Sequence, residues 1–439
     1  MSRLMAILVA GMLLAAAVMV PGPPELDPAT GSTGPVEEKE PGIGPSAHCP
    51  WALSDGSRRS SYIAVAASST EAELSFVEGG RLEPPLSGQT ATGPNGVVAK
   101  IDNPRQVGVS SAFVEFEGNA GAAGVVASGD DILAGYLCPA RIPATWHLPG
   151  GSTLEGEGLV LRLFNPFTAD ARVDLWALSE LGTEADDRLE GLTVPARQTR
   201  IVVIDEILDG RETLAIIVRP SAGSVIPVMS LDRDTDSAVW AGTAPSQGWE
   251  FPVASVEGLD SALVLTNEGS LEVNFLVEVF DEAGEPGTPL SGFIVGPGQA
   301  RIALSELLPS GVGLRVTGDG PFGAALIGRS ETAVAVAPGL PTNADTWLVP
   351  GPGAIGANAR LSFLNTGVTD VTVTYTPLNS SGDGGSPESL VLPPASVTSV
   401  ALSDPGTDAV VVSGDGQFSV GWWAEGGGKV ALGGALPGG

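Results

Sequence analysis

Beyond residue 47, apolar positions fall in short runs of four to nine residues, rich in Val, Ile, Leu, Phe and Thr and broken by Gly, Pro, Asp and Asn. Several runs alternate apolar with polar residues, as from Val173 to Leu178 and from Val273 to Phe280, which is the period of a half-buried strand. Helical spacing is confined to pieces such as Asp205-Glu206-Ile207-Leu208 and Ser305-Glu306-Leu307-Leu308, each a single turn after a strand. The pattern predicts an all-β protein.

The pattern also repeats. Trp146, Trp249 and Trp347 open segments of about 100 residues, and each is followed by a strand that ends in Asn: Leu159 to Asn165, Leu263 to Asn267 and Leu361 to Asn365. An alternating run comes next, then a Pro-marked turn and another strand: Val194-Pro195 before Ile201, Gly296-Pro297 before Ile302, Pro393-Pro394 before Val400. Residues 48 to 141 form a diverged first copy with Trp51 near its start, Tyr62 to Val65 as a strand, Gly93-Pro94-Asn95-Gly96 as a turn and no Asn at the strand end.

Six or seven short strands per copy is the size of an immunoglobulin-like sandwich. The expectation is four tandem β-sandwich units at 48–142, 143–246, 247–344 and 345–439. The alternative is a β-propeller, disfavoured because its repeat is about 40–50 residues. Connections between units look short, which favours contact between neighbours.

The N-terminus differs. Arg3 precedes an apolar run from Leu4 to Val20 that ends at Pro21-Gly22-Pro23-Pro24, the order of an export signal. Ala15-Ala16-Ala17 offers a cleavage site, while the run also reaches the lower limit of about 17 residues for a bilayer span. Residues 1–22 are therefore a signal peptide or a transmembrane signal anchor. Residues 23–47 are Pro, Gly, Glu, Thr and Ser with almost no large apolar side chain, the composition of a stalk.

Composition narrows the chemistry. With 21 basic against 51 acidic residues the formal charge is −30, which repels nucleic acid and anionic headgroups. An extracytoplasmic location turns the two cysteines, Cys49 and Cys138, into an expected disulfide that clamps the ends of the first copy. His48 and His147 are the two histidines; neither lies in a nucleophile motif, so both read as packed residues. No Gly-rich segment joins a strand to a helix in the manner of a phosphate cradle. Asp232, Asp234 and Asp236 imitate the start of a calcium loop, but Ser237 stands at position six and Thr243 at position twelve, so they are a weak metal candidate. Trp422-Trp423 is a possible ligand-stacking pair, although adjacent strand residues face opposite ways and one of them belongs in the core. No cofactor and no catalytic residue is expected. A pair of carboxylates converging from loops would be invisible in the sequence.

The Cys-Pro pairs Cys49-Pro50 and Cys138-Pro139, the Trp-x-x-Pro-Gly-Gly opening at Trp146 to Gly151 and the strand ending Asn165-Pro166 resemble an actinobacterial exported family of uncharacterised function. That resemblance covers most of residues 48 to 439 and implies a cell-envelope location with no assigned catalytic residues. Asn267 and Asn365 lack the following Pro. The expected function is a noncatalytic envelope scaffold or adhesion module, secreted or membrane-anchored, whose partner is a wall polymer or another protein. The membrane is met through the N-terminal segment only. The alternative is a carboxylate-dependent hydrolase of envelope glycans.

Overall fold

The structure is a computed structural model, and it describes residues 46–54, 59–67, 72–78, 81–82, 108–116, 121–285, 287–341, 343–351, 358–379, 385–402, 407 and 409–437. Contacts divide the chain into residues 1–40 and a compact unit from Pro41 to Gly439. The export signal, the stalk up to residue 45 and the turn at Gly93 to Gly96 lie outside the described residues. Among those described, no helix is long and apolar enough to cross a membrane.

Unit I contains β1 (Ser46–Ser54), β2 (Arg59–Ala67), β3 (Ala72–Glu78), β4 (Arg81–Leu82), β5 (Gly108–Phe116), β6 (Gly121–Gly129) and β7 (Ile132–Leu137). The first strand thus takes in Ser46 and Ala47, the end of the expected stalk. Unit II contains β8 (Trp146–Gly151), β9 (Gly158–Asn165), β10 (Ala171–Ser179), β11 (Gly182–Glu184), β12 (Leu192–Val194) and β13 (Gln198–Val203). It continues with β14 (Leu214–Ala222), β15 (Ile226–Asp232) and β16 (Ser237–Ala241). Unit III contains β17 (Ser246–Phe251), β18 (Asp260–Asn267), β19 (Val273–Phe280), β20 (Leu290–Ile294), β21 (Gly298–Ala303), β22 (Gly313–Arg329) and β23 (Val334–Pro338). Unit IV contains β24 (Ala344–Pro350), β25 (Asn358–Asn365), β26 (Val371–Leu378), β27 (Glu388–Leu392) and β28 (Ser396–Ala401). It ends with β29 (Ala409–Gly426), β30 (Lys429–Gly434) and β31 (Leu436–Pro437).

Each unit is a two-sheet antiparallel sandwich. In unit II the sheets run β11-β10-β14-β8 and β13-β9-β15-β16. In units III and IV the counterparts of β14 and β15 are one long strand, β22 or β29, that bends out of the first sheet into the second. A propeller blade shares no strand with its neighbour, so this crossover identifies the unit as a sandwich. Alternation directs the packing: Val173, Leu175 and Ala177 of β10 are buried, while Arg172 and Trp176 are exposed.

The single helical turns read from the sequence sit where expected. Ile207 and Leu208 donate to the Ile204 carbonyl, and Leu307 and Leu308 to that of Leu304. Asp205 and Ser305 fasten these turns by accepting the N–H groups of Leu159 and Ser261.

The four sandwiches close into a ring. The last strand of each unit reaches a common centre, β7 packing on β16, β16 on β23, β23 on β30 and β30 back on β7. The main core of each unit also extends into a neighbouring unit. Val228, Val239 and Ala241 complete the core of unit I. Ala262, Val264, Ala325 and Ile327 complete that of unit II, and Val430 with Leu432 that of unit III. Val126 and Leu133 of unit I enter the core of unit IV, which closes the circle.

The residues between units are not spacers. They zip onto the first strand of their own unit, Thr243 on His147, Leu340 on Glu250 and Leu436 on Leu348. In unit I the His48 N–H reaches the Pro139 carbonyl at 3.0 Å, and the expected disulfide lies beside it. Cys49 of β1 and Cys138, just after β7, have their Cα atoms 4.8 Å apart.

Candidate functional site

Three groups of side chains carry chemistry: a carboxylate at the ring centre, polar pairs in the seams between units, and a set of equivalent loops fixed by the repeated Asn.

Asp236 does not belong to a calcium loop. The turn between β15 and β16 sends its side chain inward, fully buried, where Oδ1 accepts the Leu133 N–H of unit I at 3.1 Å and Oδ2 accepts the Val334 N–H of unit III at 3.1 Å. The N–H of Val430, in unit IV, also stabilises its charge. One carboxylate of unit II therefore serves the starts of the three other inner strands. Burial pushes its pKa up to about 7, against the lowering effect of those N–H groups. Asp234 points to solvent and Asp232 accepts the Ser230 hydroxyl, so the three aspartates do not converge. Among the described residues no group of three Asp, Glu, His or Cys side chains could hold a metal ion.

The residue after each unit-opening Trp faces the next unit. His147 is buried, with Nδ1 2.9 Å from the Thr266 hydroxyl and Nε2 3.8 Å from Glu268. Glu268 also binds Arg219 at 2.7 Å, and that guanidinium lies 3.5 Å over the Trp176 ring. His147 and Arg219 together hold the Glu268 carboxyl down at about 2. At the equivalent position Glu250 is buried and accepts the Thr366 hydroxyl, and burial pushes its pKa up. Leu348 occupies the third such position and packs on Ala122 of unit I. His48 stacks on Phe113 with ring centroids 5.0 Å apart, and burial lowers its pKa to about 4. Both histidines are packed, as the sequence implied.

Trp146, Trp249 and Trp347 are buried; Trp249 and Trp347 donate from Nε1 to the carbonyls of Phe322 and Phe418. The pair read as a ligand platform is otherwise employed. Trp422 is 2% exposed and fills the seam between units IV and I, against Gly433 and Gly135. A Cβ on Gly135 would stand 2.7 Å from the Trp422 ring, so no ligand fits there. Trp423 is half-buried, packs on the unit III core and has the Arg360 guanidinium 5.8 Å from its ring centroid.

The repeated Asn organises the third group. Asn165, Asn267 and Asn365 are buried at the strand ends, and each donates to the carbonyl four residues on (Ala169, Leu271, Thr369) at 2.7–2.8 Å. Each also accepts the N–H two residues on (Phe167, Gly269, Gly367) and donates to the strand across the turn at Val194, Ile294 or Leu392. The loops so fixed carry Phe167, Leu271 and Val368, which are 41%, 79% and 91% exposed. The three loops are equivalent in units II, III and IV, each fixed by the same Asn bonds. The Asn was visible in the sequence; the exposed apolar residue two to four positions later was the signal left unread.

At the turn end of the ring a cleft of about 420 Å³ separates units III and IV, lined by Glu257, Asn358, Glu425 and Lys429 among others.

A family described as of unknown function, DUF5719, matches residues 120–403, more than half of the chain. The chain belongs to this family. No curated protein matches it. Among solved structures, one titled as the tetra-tandem repeat in the extending region of a large adhesion protein is 13% identical. It covers 90% of this chain and 99% of its own, with a TM-score of 0.12. This member of DUF5719 is thus an all-β protein with a buried disulfide.

Proposed function

We propose that this protein is a noncatalytic, exported envelope module that binds a partner through the equivalent loops carrying Phe167, Leu271 and Val368. The observation that supports this reading is the fixing of three large apolar side chains in water by three buried asparagines. Exposed apolar groups held on rigid backbone gain area on contact and lose little entropy on binding. The partner is a wall polymer or an envelope protein, reached from the N-terminal segment.

The test is co-sedimentation of the protein with isolated envelope material, with and without protease treatment of that material. Binding should fall when Phe167, Leu271 and Val368 are replaced together by Ser while thermal unfolding stays the same. Absence of binding by the native protein, or equal binding by the triple variant, overturns the proposal. A second reading, hydrolysis of an envelope glycan, is favoured by Glu257 and Glu425 lining one cleft. It requires release of reducing ends from that material, abolished by Glu425→Gln.

A further inference from the structure

We infer that a second copy of this chain docks along β20, an edge strand that the proposed function does not use. β20 is the outer edge of its sheet, ordered β20-β19-β22-β17, and among the described residues it pairs only with β19. An edge strand presents unpaired N–H and C=O groups that another strand can satisfy, and soluble proteins ordinarily blunt such edges with charge. This edge is short and flanked by Pro289 and Pro297, but it carries none of that charge. From Gly287 to Ala300 no residue is charged, in a chain whose net charge is −30. Its counterpart in unit IV, β27, opens on Glu388.

The same edge is apolar on its open side. Of the large hydrophobic residues exposed to solvent, Leu276, Phe293 and Val295 gather here, with Phe293 at 55% and Val295 at 51%. Asn274 pairs with Phe293 and Leu276 with Ser291, which places Leu276 and Phe293 diagonally on one sheet face.

The charge pattern selects the occupant. Two molecules this acidic repel over most of their surfaces, so an uncharged stretch is where an identical copy can approach. Antiparallel pairing of two β20 strands about Gly292 would set Phe293 opposite Ser291 of its twin. The acidic loop at Asp281, Glu282 and Glu285 would then lie against the uncharged 295–299 segment and not against its own copy.

Sedimentation velocity on the full chain tests this, over a concentration series, for the native protein and for Phe293→Lys, Ser291→Lys and Leu307→Lys. The native protein should form a concentration-dependent dimer of twice 44.3 kDa. Either β20 variant should raise the dissociation constant more than tenfold with an unchanged melting temperature, whereas Leu307→Lys, exposed elsewhere in unit III, should dimerise normally. A native protein that stays monomeric overturns the inference, as does dimerisation of the β20 variants at native strength.

Discussion

Replacing Asp236 with Ala removes a side chain that bonds from unit II to the inner strands of units I and III. Buried backbone N–H groups, those of Leu133 and Val334 among them, lose their partner. Each orphaned buried donor costs roughly 1–3 kcal/mol, so losing these two should make the variant about 2–6 kcal/mol less stable. Unfolding entropy near 2.1 cal/mol/K per residue, over some 390 residues, amounts to about 0.8 kcal/mol/K, which converts that loss to a fall of roughly 2–8 °C in Tm. Amide hydrogen exchange localises the effect: Leu133 and Val334 should lose protection while Val218, inside the unit II sandwich, keeps its own. The pH dependence has a definite sign. A carboxyl whose pKa is raised from about 4 unfolded to about 7 folded stabilises at low pH and loses that contribution as pH rises through 4 to 7. Asp236→Asn abolishes this term, so the stability difference between native protein and variant should change across that window. Unaltered exchange at Leu133 and Val334 in Asp236→Ala would refute the reasoning.

Other perturbations act on separate parts of the structure. Cys49→Ser with Cys138→Ser opens a loop of about 90 residues and should cost roughly 4 kcal/mol in the chain-entropy account, read by denaturant unfolding. Asn365→Ala removes bonds to Thr369, Leu392, Pro393 and Gly367 and should cost about 2–4 kcal/mol, with faster proteolysis near Val368. Ala395 has φ of 50°, a left-handed conformation that disfavours a Cβ, so Ala395→Gly should raise stability by about 0.5–1 kcal/mol in the same assay. Gly135→Ala should destabilise by about 1–3 kcal/mol through collision with the Trp422 ring, and relieve quenching or shift emission of that tryptophan.

Much of the fold was legible because local pattern and global packing agree. Period-two alternation marked β10 and β19, and the recurring Trp and Asn marked the start and the inner corner of each unit. The disulfide followed from compartment and count. Ring closure was not legible, because the strands that meet at the centre, such as Ile132–Leu137 and Lys429–Gly434, are short, small-residue segments nearly 300 positions apart. The same gap left two weak candidates open in the sequence. Asp232, Asp234 and Asp236 have the spacing of metal ligands, and only the inner position of β16 reveals that the third caps strands from other units. Trp422 has the look of a ligand platform until unit I is laid against it. The exposed Phe167, Leu271 and Val368 carry no motif of their own and became visible once the asparagines fixed where their loops emerge.

The claim on which the rest depends is that units I and IV are neighbours. Double electron–electron resonance between spin labels at Asp130→Cys and Glu425→Cys, with the native disulfide intact, measures it directly, since both residues are exposed beside the inner strands β7 and β30. A closed ring predicts a single narrow distance of about 20–30 Å. Four sandwiches in an open row, each about 30–40 Å across, would separate the same labels by roughly 80 Å or more and contradict the account.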